Sequence, residues 1–142
     1  MKATILVHCA SEDYESFVAL RKHFSPDARI EVIGLRDAFY GADLEVERDK
    51  AIQRADCIIF LISADFCASN IVRLETRMII NHRQDLMDKG LVLSMMVRPV
   101  FFRATTPLLL DGKVIRGEAD MARVVEEIKG IPAMASLLQE EQ

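Results

Sequence analysis

The sequence predicts an α/β domain, an open parallel sheet of about five strands with helices on both faces. Three observations carry this. Ile5-Leu6-Val7, Cys57 to Ile62 and Leu91 to Val97 are short, largely continuous apolar runs, the pattern of strands buried on both faces. The stretches between them repeat apolar residues with helical period. The two kinds of segment alternate, which implies right-handed βαβ units and a covered parallel sheet.

Taken in order, Ile5-Leu6-Val7 is the first strand. A helix follows over Glu12 to Phe24, where Phe17, Leu20 and Phe24 recur at i, i+3 and i+7 and Ser11 or Asp13 can cap the start. Ser25-Pro26-Asp27 breaks it, and Ile30-Glu31-Val32-Ile33 alternates as a second strand. Gly34 to Gly41 reads as a loop. A charge-dense helix then runs from about Asp43 to Arg54, with Leu44, Ala51, Ile52 and Ala55 available to the core. Cys57 to Ile62 is the central strand. A third helix covers about Asn70 to Asp88, with Gly90 as its stop.

Leu91 to Val97 is the fourth strand, closed by Arg98-Pro99 because proline lacks the donor a ladder needs. Phe101 to Gly112 is loop-like, and Val114-Ile115 is a candidate fifth strand. The last helix spans about Asp120 to Lys129, with Met121, Val124, Val125 and Ile128 inward. Ile131-Pro132 ends it, leaving residues 133–142 as a frayed tail. No repeat, linker or low-complexity segment divides residues 1–142, so a single flavodoxin-like domain is expected.

Bulk properties narrow the function. At 142 residues, with 51% hydrophobic and 28% charged, the chain suits one globular domain with a real core. A net charge of −4 disfavours nucleic acid as a partner, since phosphate binding needs a basic field. No apolar run approaches the ~20 residues that span a bilayer, and the short apolar N-terminus reads as a strand rather than a signal. A cytoplasmic protein without a membrane partner is the expectation. Cys9, Cys57 and Cys67 show no metal-ligand spacing and are expected as free thiols. No metal and no resident cofactor are expected.

The chemistry concentrates after the central strand. Ile58-Ile59-Phe60-Leu61-Ile62 turns polar at Ser63, and the helix that follows carries Glu75, the one carboxylate between Asp65 and Asp85. Ile71, Met78, Ile79 and His82 share its helical face. Open α/β sheets place ligands at the carboxyl ends of their strands. Here those ends are His8 to Ser11, Arg36 to Gly41 and Ser63 to Phe66. No glycine-rich phosphate loop is present. His8 is either a core-edge histidine or a pocket residue, and Cys67 either a small buried hydrophobe or a reactive thiol.

The order of these landmarks resembles a TIR (Toll/interleukin-1 receptor) domain of the bacterial type, over about residues 3 to 129. Ile5 to Asp13 is similar to the family's opening strand and small-acidic turn, and Arg36 to Gly41 to its glycine-ended loop. Ser63-Ala64-Asp65-Phe66-Cys67-Ala68-Ser69 is the most specific match; Val97-Arg98-Pro99 and Leu110 to Val114 follow in order. Many TIR domains cleave NAD at the nicotinamide–ribose bond, using a glutamate four residues after an aromatic.

The resemblance implies that Glu75 is the catalytic residue and that NAD is a consumed substrate. His8, Ser11, Asp37, Phe39, Gly41 and Ile71 are the implied substrate-binding residues. Ile71 occupies the aromatic position, and the chain contains no tryptophan. The resemblance also implies activity on self-association through TIR–TIR contacts, a fused or separate sensor protein, and a role in bacterial antiphage defence or as an effector. The rival expectation is a non-catalytic adaptor acting through the same contacts. A phosphoacceptor receiver of like topology would need an aspartate ending the third strand, where Ser63 stands.

Overall fold

A computed structural model describes residues 2–35, 44–101 and 106–140. Four strands, β1 (Ala3–His8), β2 (Ile30–Gly34), β3 (Cys57–Ile62) and β4 (Val92–Met96), form one parallel sheet in the order β2-β1-β3-β4. The helices are α1 (Tyr14–Phe24), α2 (Leu44–Arg54), α3 (Ala64–Ala68), α4 (Asn70–His82), α5 (Gln84–Asp88), α6 (Gly117–Lys129) and α7 (Pro132–Glu140). The architecture is the expected flavodoxin-like α/β fold. No residue of β1 or β3 is exposed, so both faces of the central strands are covered. Edge strand β2 instead alternates between buried and half-buried positions.

The expected fifth strand does not form among the described residues. Its place beside β4 holds a single bridge, Ser94 to Leu108, where the Ser94 N–H donates to the Pro107 carbonyl at 2.8 Å. Ile115 adds one bond, donating to the Met96 carbonyl at 2.7 Å. Between these contacts Leu110, Asp111 and Gly112 all take positive φ, which turns the chain out of extended geometry.

Helix α1 buries Phe17, Leu20 and Phe24, and α6 buries Met121, Val124, Val125 and Ile128, as the helical period requires. The two helices contact each other, while α2 contacts α4. Two helical expectations change. The stretch expected as one helix to Asp88 breaks at Arg83 (φ −126°, ψ 46°) into α4 and α5. Pro132 opens a helix rather than only ending one, since its fixed φ and missing N–H suit a first helical position. Residues expected as a frayed tail thus reach back to the core, with Met134 and Leu138 buried.

Among the described residues no helix is long and apolar enough to cross a membrane.

Candidate active site

Two of the described carboxylates are buried, one in the turn after β1 and one on α4. The first is Asp13, which closes the 3₁₀ turn Ser11–Asp13 after β1. It makes no capping bond of the expected kind. Its Oδ2 accepts from the Ser63 hydroxyl at 2.5 Å, and its Oδ1 lies 3.3 Å from Arg98 Nε. Arg98 also approaches Asp65 at 3.3 Å and donates to the Glu12 carbonyl at 2.8 Å. One guanidinium thereby ties together the turns after β1, β3 and β4. Ser63 is doubly engaged, because its oxygen accepts from the Phe66 N–H at 3.1 Å and caps α3.

The second is Glu75. Ser69 starts α4 as an N-cap, accepting from the Val72 N–H at 3.2 Å. The inward face of that helix is Val72, Glu75 and Ile79, so Glu75 is only 5% exposed. Its Oε2 lies 3.3 Å from Nη1 of Arg48 on α2. Ile71 and His82, expected on the same face, fall on the exposed side, and Ile71 is 64% exposed. The stripe registers one residue later than the sequence pattern suggests. Among the described residues no group of three or more His, Cys, Asp or Glu side chains could hold a metal.

His8, at the end of β1, is buried. Its Nε2 is 3.3 Å from the Val72 carbonyl oxygen, a contact that needs the proton on Nε2. Its ring meets Phe60 and Phe66 edge-on, with centroids 6.2 and 5.8 Å away. It joins β1 to the first turn of α4, one turn before Glu75.

A cavity of about 210 Å³ opens at the ends of β1 and β2, lined among others by His8, Cys9, Ser11, Tyr14 and Leu35. Neither Glu75 nor Ile71 is among its described lining residues. Asp37, Phe39 and Gly41 lie outside the described residues. The structure therefore joins His8 with Ser11 at the cavity, and His8 with α4, while Glu75 sits under α2.

Two of the three thiols are disfavoured as thiolates by their surroundings. Burial pushes Cys57 up to about 12 and raises Cys67 above its ordinary value, so neither is a thiolate at neutral pH. Arg48 is the site residue that sequence reasoning misses. It reads as one charge in a solvated helix, and its partner stands 27 positions away. No family model matches the chain, and none of the curated proteins matches it.

Proposed function

We propose that the chain is a TIR-like domain that cleaves NAD at the nicotinamide–ribose bond, with Glu75 as the catalytic carboxylate. The observation that carries the reading is Glu75 itself, a carboxylate buried on an inward helix face with an arginine beside it. Natural proteins rarely bury such a group except for structure or chemistry. Its helix is bonded to the end of β1, beside the point where the sheet order reverses between β1 and β3. Open α/β sheets bind ligands there.

The chemistry needs only one carboxylate. The bond from ribose C1′ to the pyridinium nitrogen breaks with its electron pair going to nitrogen, so nicotinamide departs neutral and needs no acid. The ribose becomes an oxocarbenium-like cation, which a facing carboxylate stabilises. Water then adds at C1′ and loses a proton, giving ADP-ribose; attack by a group of the same molecule gives a cyclic isomer. In this reading the chain resides in the cytoplasm and works as an assembly.

The second reading, a non-catalytic adaptor, has its own observation. Ile71 stands where the aromatic is expected, and it and Leu74 are each 64% exposed on the outer side of α4. Exposed apolar residues of that kind suit a protein contact. Concentrated or crowded protein incubated with NAD distinguishes the two. Nicotinamide release that falls about 100-fold or more in Glu75→Ala supports catalysis. Release unaffected by that change sinks the site, and none under any assembling condition favours the adaptor.

A further inference from the structure

His8 ends β1 with 1% of its surface exposed. It pairs in register with Phe60 of β3, so the two side chains leave the same face of the sheet. Its ring meets both Phe60 and Phe66 edge-on, and those two rings, themselves buried, pack 6.2 Å apart. An imidazole wedged between two buried rings has little freedom to turn. Burial of a polar ring is costly unless it is hydrogen-bonded. Nε2 meets that need at the Val72 carbonyl, 3.3 Å away.

That carbonyl belongs to the first turn of α4. The turn begins at the Ser69 cap, whose hydroxyl accepts from the Val72 N–H at 3.2 Å. The Val72 oxygen also accepts from the Thr76 hydroxyl at 2.7 Å. Of these three bonds, the one to His8 reaches from the helix to the sheet. Glu75 follows Val72 by three residues on the same inward face, so a shift of that turn carries the carboxylate with it. A ring nitrogen that donates to a carbonyl is not at the same time a base.

We propose that His8 is an anchor for α4: its Nε2–H holds the first turn of the helix to the end of β1 and thereby sets where Glu75 sits. His8 is thus a positioning residue, with Nε2 committed to the helix rather than to a substrate. The consequence for turnover rests on the proposed NAD cleavage, whereas the anchor itself does not.

The test uses the full chain at neutral pH, as wild type, His8→Phe, His8→Leu and His8→Gln. Phenylalanine and leucine keep an apolar body and lose the donor, whereas the glutamine amide places an N–H near the position of Nε2. Nitrogen-15 NMR of the wild type should show His8 Nε2 as the protonated ring nitrogen; an unprotonated Nε2 overturns the anchor. Amide hydrogen exchange of residues 73–76 is expected to rise about tenfold in His8→Phe and His8→Leu, the equivalent of one hydrogen bond, and to return most of the way in His8→Gln. Amides of β4 and α6 should stay protected, which shows that the fold persists. Unchanged exchange, or a rise spread evenly over β4 and α6, overturns the anchor. An equal rise in all three variants assigns the effect to ring packing and overturns it too. Where NAD is cleaved, His8→Phe should lower kcat about tenfold with KM nearly unchanged, and His8→Gln should recover most of the loss. A raised KM with kcat kept overturns the positioning role in favour of substrate contact. Faster exchange without NAD cleavage by any variant upholds the anchor and removes the enzymatic reading.

Discussion

Asp13 and Glu75 are two buried carboxylates, each with an arginine nitrogen 3.3 Å away, yet the surroundings of the two pairs differ. Arg98 reaches Asp13 from the end of β4 and simultaneously holds Asp65 and the Glu12 carbonyl. Ser63 adds a bond at 2.5 Å from the end of β3. The components sit in the 3₁₀ turn after β1, at the start of α3 and just beyond β4. Arg48 comes instead from the part of α2 that buries no described side chain. One arginine bridges several elements at the strand ends, and the other joins two helices. What differs is how many elements each arginine ties together, and that sets how much its loss should cost.

The comparison breaks most sharply on the arginines. Arg98→Met leaves Asp13 buried beside a single hydroxyl, an uncompensated charge that should cost about 2–4 kcal/mol. Arg48→Gln should cost less, about 1 kcal/mol, because the Arg48 side chain is 32% exposed and glutamine keeps a donor for Glu75. Urea denaturation midpoints check both. Equal losses would mean that the number of elements joined does not set the cost.

Serine caps repeat the contrast at smaller scale. Ser63 caps α3 and also donates to Asp13, whereas Ser69 caps α4 alone. Ser63→Ala should therefore cost about 2 kcal/mol, combining a charged hydrogen bond with a cap. Ser69→Ala should cost about 1 kcal/mol. Thermal unfolding of the two variants sharpens the assignment, and a larger loss at Ser69 would reverse it.

These partnerships explain what the sequence makes legible. Continuous apolar runs place β1 and β3, buried on both faces, and single apolar stripes place α1 and α6. Glu75 stands out because no other carboxylate lies between residues 65 and 85. Its depth was not legible, since the inward face is set by Val72 and Ile79 rather than by Ile71. Asp13 reads as a helix cap, yet its partner Ser63 is 50 residues on. The break at Arg83 is equally hidden, because Arg83 bonds carbonyls at and just beyond the end of α2, 28 to 31 positions earlier. Pro132 reads as a stop when only its left-hand context is weighed, and Met134 and Leu138 become a core stripe once it is a start.

A third ion-paired carboxylate supplies the reference that the first two need. Asp27, in the turn between α1 and β2, accepts from Arg29 Nε at 2.9 Å and Nη2 at 2.7 Å, with Lys129 Nζ at 3.1 Å. It lies at the amino-terminal start of β2, where the Ile30 N–H donates to its carbonyl at 3.2 Å. The Arg29 guanidinium, against the opposing pull of burial and with help from Lys129, holds its carboxyl well below the usual carboxylate range. A depressed folded-state value means that the group stabilises fully above its unfolded value of about 3.9 and loses that contribution as pH falls toward the folded one. Asp27→Asn should cost about 1 kcal/mol at pH 7, a partly exposed pair in a fixed turn. The gap between variant and wild type should narrow steadily below about pH 4. Urea midpoints from pH 7 to pH 2 measure it. A gap that held constant across that range would show that Asp27 acts through shape rather than charge. The yardstick for Arg98 and Arg48 would then have to be taken from their own double-mutant cycles with Asp13 and Glu75.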